Sequence, residues 1–151
     1  MTEGSYVEQQ LRKYGNAASL TEGISMRPFL KSKRDSVVLE AVDSPLRKYD
    51  VVLYPCGGKL IMHRIVGFRK DGSLIIRGDN TYKREIVPRE KIIARLTSFT
   101  RKGKSGTVND LGYKVYSVVW TFIYPLRFII NRPLNLFYRA VRRIFRTLRR
   151  K

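Results

Sequence analysis

The sequence predicts a mainly β protein with a short N-terminal helix and a C-terminal amphipathic helical appendage. Three observations predict it. Short β-branched and aromatic runs, cut by turn residues, recur between residues 36 and 99. A helix signature precedes them, and every acidic residue lies at or before Asp110, which leaves a basic, apolar tail of a different character.

Each element has its own signal. Ser5 and Glu8 stand at capping-box spacing, so Tyr6 to Tyr14 reads as a helix closed by Gly15, whose freedom at positive φ suits a helix end. Strands are expected at 36–42, 51–54, 59–68, 73–77 and 91–99. The breaks carry turn chemistry, with Pro55-Cys56-Gly57-Gly58 before one run and Lys70-Asp71-Gly72 after it. Asp-Gly is a strong hairpin signal, so neighbouring strands should pair.

Length and charge bound the organisation. The 151 residues suffice for one modest core plus an appendage. A single cysteine, Cys56, excludes an intramolecular disulfide framework and a thiolate metal cluster, and no cofactor or metal is expected. The formal charge of +19 implies a polyanionic partner, anionic lipid or nucleic acid. Residues 1–110 carry 21 basic and 12 acidic side chains, whereas 111–151 carry 10 basic and none acidic. The polar, glycine-containing run Arg101 to Gly106 then reads as a linker, dividing a β domain (1–104) from a basic, apolar, membrane-associating segment (105–151).

Nothing before residue 111 resembles a secretory signal or a membrane span, so attachment is expected at the C-terminal end. Val115 to Leu126 is free of charge over 12 residues, but Pro125 and Arg127 interrupt it. Interfacial or re-entrant burial is therefore expected rather than crossing. Pro133 can open a last helix with Phe137, Val141, Ile144, Phe145 and Leu148 on one side and Arg139, Arg142, Arg143, Arg146, Arg149 and Arg150 on the other. Such a helix suits a lipid headgroup layer, where each arginine adds about 1 kcal/mol on an anionic leaflet. Packing on the β domain is the plain alternative. Nucleic acid is the less favoured partner, because the aromatics lie among the apolar residues, where they serve insertion better than base stacking.

Three short stretches could carry chemistry. In Gly23-Ile24-Ser25-Met26-Arg27-Pro28, a serine between glycine and proline sits in a constrained turn, where its hydroxyl can be presented and its own amide can face an oxyanion. That hydroxyl needs a base. His63 is the only histidine, in a strand alternation shared with Ile61 and Ile65, so burial should keep it neutral. A hydrogen-bonded core histidine would look the same. Asp79, in Arg77-Gly78-Asp79-Asn80, can return to His63 if the strands pair, and could then orient the imidazole; a plain turn is the other reading.

Taken in order, Gly-x-Ser-Met-x-Pro, then His63-Arg64-Ile65, then Gly78-Asp79-Asn80 resemble the signal peptidase family over roughly residues 20–100, and Asp50-Val51-Val52-Leu53-Tyr54 resembles its intervening strand. The resemblance implies a twisted, mostly antiparallel β fold and a serine endopeptidase that cuts signal or leader peptides at exposed, extended sites near a membrane. It makes Ser25 the nucleophile, His63 the base and Asp79 the acid, with the backbone amides of Ser25 and Met26 holding the oxyanion.

Three departures qualify the resemblance. Histidine replaces the lysine usual in bacterial members, Gly23 stands where many carry an oxyanion-supporting hydroxyl, and the anchor is C-terminal. The last places the enzyme on the cytoplasmic face of a membrane, with Arg139, Arg142, Arg143, Arg146, Phe137 and Phe145 as lipid contacts. The competing expectation is a non-catalytic membrane- or nucleic-acid-binding adaptor on the same scaffold.

Overall fold

The computed structural model describes residues 3–127. Its elements run α1 (Glu3–Tyr14), β1 (Asn16–Leu20), β2 (Ser36–Ala41), β3 (Val51–Cys56), β4 (Lys59–Phe68), β5 (Leu74–Arg77), β6 (Glu85–Val87), a 3-10 turn (Arg89–Lys91), β7 (Ala94–Arg101), β8 (Lys104–Thr107) and α2 (Leu111–Phe122). All eight strands belong to one antiparallel sheet, ordered β1-β2-β7-β3-β4-β5-β6, with β8 added to β7. The mainly β expectation is met.

The predicted helix begins two residues earlier than its capping box, so Ser5 lies inside the first turn. Gly15 closes it at φ 73°, and its amide donates to the carbonyl of Leu11. Strands β1, β6 and β8 were not foreseen. β1 reads Asn-Ala-Ala-Ser-Leu, with no β-branched residue, and owes its conformation to pairing with β2.

The central strand β3 explains the two cores. Both its faces are covered, so Val51 to Tyr54 is a continuous apolar run rather than an alternation. Val51 and Leu53 enter one cluster with Met26, Phe29, Leu30 and Tyr113, whereas Val52 and Tyr54 enter another with Ile65, Leu74 and Ile76. In β4 the alternation up to Ile65 follows the same parity, with Leu60 and Met62 against the first cluster and Ile61 and Ile65 in or against the second.

The predicted domain break needs correcting. The chain divides into compact units at Met1–Val118 and Val119–Lys151. Residues 101–106 are no linker, because Lys102 and Gly103 form the left-handed tip of the β7–β8 hairpin, at φ 52° and 76°. The start of the apolar sequence after residue 111 is partly core: Tyr113 and Ser117 of α2 are buried in the first unit. The charge boundary at Asp110 marks a change in surface, while burial sets the structural boundary.

Within the second unit, Arg127 closes a helical turn on Ile123 and stacks 3.7 Å above the Trp120 ring. No helix among the described residues is long and apolar enough to cross a membrane. The predicted helix after Pro133, with all six lipid-contact residues from Phe137 to Arg146, lies outside the described residues.

Candidate active site

Ser25 sits in a loop that is pinned at its base. Thr21 and Asp35 meet through the Thr21 amide and hydroxyl, both bonded to the Asp35 carbonyl, and Lys33 bonds back to the carbonyl of Thr21. The buried Asp35 carboxylate ties the loop further. It accepts from Arg34, which holds its carboxyl at about 2 against the cost of burial, and from the amides of Lys31 and Lys102. Within this frame Met26, Phe29 and Leu30 plug the first core, so the half-buried Ser25 occupies a turn with fixed neighbours.

Gly23 stands in the left-handed region at φ 76°, with open space where a Cβ would project. Its conformation, not crowding, calls for glycine: an L side chain there costs roughly 1–2 kcal/mol. A hydroxyl residue at this place would therefore strain the turn. Among the described residues the amides of Ser25 and Met26 donate no hydrogen bond, and Ser25 Oγ has no partner.

His63 lies in β4 opposite Val52 of β3, on the face of the second core, and is buried. Its pKa is lowered, chiefly by desolvation, while the charges of Glu85 and then Asp79 oppose the shift. The ring is thus neutral at pH 7, as a base must be.

How β5 returns to β4 decides what meets His63. Phe68 pairs with Leu74 and Gly67 with Ile75, and continuing that register would set Asp79 opposite His63. A bulge between Ile65 and Gly67 intervenes, so Ile65 pairs with Ile76 and Arg64 with Arg77. One extra residue inverts the parity. Gly78 now falls on the His63 face and Asp79 on the Arg64 face.

The Gly-Asp-Asn stretch accordingly does three jobs. A Cβ on Gly78 would lie 2.7 Å from the carbonyl oxygen of Ser25 and 2.9 Å from Nε2 of His63, so glycine is what lets the loop and the imidazole converge. Asn80 clamps the same loop, its amide donating to the Ser25 carbonyl at 2.7 Å and its side chain to the Ile24 carbonyl at 3.2 Å. Asp79 turns away. Its two oxygens accept from Nε and Nη2 of Arg64, both at 2.8 Å, and Oδ2 also accepts from Tyr116.

That pairing corrects the expected orienting role of Asp79. Arg64 has no exposed surface; it reaches the Tyr49 carbonyl, Tyr113 and Ser117 with its remaining donors, and lies 5.5–5.7 Å from the centres of the Phe29, Tyr113 and Tyr116 rings. Burial works against its charge, but the Asp79 bonds and field outweigh it and raise its pKa. Asp79 acts on His63 only through its field, as the weaker of two raising charges.

The imidazole Nδ1 instead meets the hydroxyl of Tyr54 at 3.2 Å, and that hydroxyl donates to Glu85 at 2.6 Å. Both groups were missed in the sequence. Tyr54 carried a faint signal, since a tyrosine buried in a central strand needs a polar partner. Glu85 carried none, being 31 residues from Tyr54 in the chain.

The Ser25 carbonyl and His63 Nε2 therefore converge above Gly78, and Ser25 Oγ and Nε2 are not hydrogen-bonded. Cys56, the other possible nucleophile, is exposed at the far end of β3, four residues beyond the partner of His63, or roughly 13 Å along the strand. Among the described residues no cluster of His, Cys, Asp and Glu could hold a metal ion. No family model and no curated protein sequence matches the chain.

Proposed function

We propose that the protein is a serine endopeptidase acting on signal or leader peptides at a membrane surface. The convergence of the Ser25 loop and His63 Nε2 over Gly78 carries the reading. His63 takes the proton of Ser25 Oγ, the alkoxide attacks the scissile carbonyl, and the uncommitted amides of Ser25 and Met26 receive the oxyanion. The imidazolium then protonates the leaving amine, and water, deprotonated by the same ring, clears the acyl-enzyme.

The pinned loop supports this division of labour: Asn80 and Asp35 fix its backbone while the Ser25 hydroxyl is left uncommitted. Ser25→Ala and His63→Ala are expected to abolish cleavage of a leader-like peptide, the serine variant with its thermal unfolding midpoint nearly unchanged. Undiminished cleavage by purified Ser25→Ala protein would rule the mechanism out.

Membrane attachment is a separable proposal and rests on the sequence of the tail. Because Tyr113 and Ser117 are core residues, cutting the chain at 110 would damage the β unit; changing surface charge is the cleaner test. Full-length protein with Arg139, Arg142, Arg143 and Arg146 changed to Glu is expected to stop co-sedimenting with anionic vesicles. Unchanged co-sedimentation counts against lipid binding by this tail, and release of the parent protein by duplex DNA favours the adaptor reading.

A further inference from the structure

We infer that Tyr54 and Glu85 are the positioning residues of the base, fixing His63 as the Nδ1-protonated tautomer so that the Nε2 lone pair faces Ser25. The inference rests on the peptidase reading for its catalytic meaning, but its structural content stands apart from it.

Counting protons along the chain from Glu85 to His63 assigns the tautomer. A tyrosine hydroxyl has one proton and can accept as well as donate, whereas a carboxylate only accepts. The 2.6 Å contact with Glu85 therefore takes the Tyr54 proton, leaving the phenol oxygen as an acceptor. That oxygen lies 3.2 Å from His63 Nδ1, which must then carry the imidazole's hydrogen. Nε2 is left unprotonated where it approaches Gly78 and the Ser25 loop. Burial and the Glu85 bond both keep the phenol protonated, so the chain from carboxylate to imidazole persists at neutral pH.

Topology makes the arrangement stiff. Tyr54 pairs with Ile61 two residues from His63 on the same face, and Glu85 pairs with Ile76, whose side chain lies in the same core as Tyr54. When Ser25 gives its proton to Nε2, the resulting imidazolium keeps its Nδ1–H on Tyr54, and the Glu85 charge favours that form. No proton need leave Tyr54. The charged groups acting on the ring are Glu85, from β6, and Asp79, from the segment after β5; Asp79 is already engaged by Arg64 on the opposite face.

His63 is the only histidine, so its ring nitrogens can be read by 15N NMR in the full chain without assignment ambiguity. In the parent protein at a pH above the histidine midpoint, Nδ1 is expected to show the protonated-type resonance and Nε2 the unprotonated type. Tyr54→Phe should abolish that preference, and Glu85→Gln should lower the titration midpoint of His63. A parent protein with Nε2 protonated, or two variants that leave tautomer and midpoint unmoved, would overturn the inference.

In the cleavage assay both variants should lose about 10- to 100-fold in kcat with little change in KM, a loss of the size seen when the hydrogen-bond partner that orients a metal-bound histidine is removed. The NMR readings need no substrate. Failure of Ser25 to matter would sink the peptidase reading while leaving the tautomer result intact, and the reverse outcome would sink only the positioning role.

Discussion

His63 and Arg64 are neighbours in β4, and the two faces of that strand treat them in opposite ways. On the Arg64 face a buried charge is saturated: carboxylate, carbonyl, two hydroxyls and three aromatic rings surround it. On the His63 face one ring nitrogen is satisfied and the other is left facing the Ser25 loop. A fully paired group is held in one charge state and suits architecture. A half-paired, neutral group can still accept a proton and suits chemistry. The lesson is that burial alone does not mark a site; unspent hydrogen-bonding capacity at a point of convergence does.

The largest test of this contrast is to break the saturated side. Arg64→Met would strand Asp79 as an uncompensated buried charge and is expected to cost about 3–5 kcal/mol, read as a shift of the urea unfolding curve. Replacing both partners, Arg64→Met with Asp79→Leu, should recover most of that loss, since an apolar pair of similar volume leaves no buried charge. A single variant as stable as the parent would mean that the cage does not hold the fold together.

A smaller effect is expected where the two faces meet the loop. Gly78→Ala should cost roughly 1–3 kcal/mol, because the added methyl overlaps a backbone oxygen and the imidazole at 2.7 and 2.9 Å. Cleavage should fall with it as Ser25 and His63 are pushed apart. Gly67→Ala is the internal comparison, since its methyl would meet only the Ile75 side chain, at 3.5 Å or beyond. Equal behaviour of the two alanine variants in unfolding and cleavage would show that the close approach at Gly78 is not what matters.

Much of the molecule was legible beforehand, for definite reasons. β4 was predicted with its observed bounds because a long β-rich run was framed by Gly57-Gly58 and Asp71-Gly72, both of which turn the chain locally. Ser25 and His63 were legible as residue types in constrained settings. Strands β1, β6 and β8 were not, because their short, weakly β sequences take their form from neighbours that pair with them. The boundary at residue 104 failed for a related reason: charge asymmetry reports surface, whereas Tyr113 and Ser117 belong to the core through contacts with Arg64, about fifty residues earlier.

Residue chemistry by itself determined that this chain folds around short antiparallel strands, that one serine sits in a tight turn, and that one histidine lies in an apolar strand. Which side chains meet that histidine was decided by tertiary structure. A regular hairpin through Asp71-Gly72 would have brought Asp79 opposite His63, and the bulge between Ile65 and Gly67 moves Gly78 there instead. Side chains alternate with a period of two, so a single inserted residue exchanges the faces: Asp79 goes to Arg64, and the place beside His63 falls to Tyr54 and Glu85.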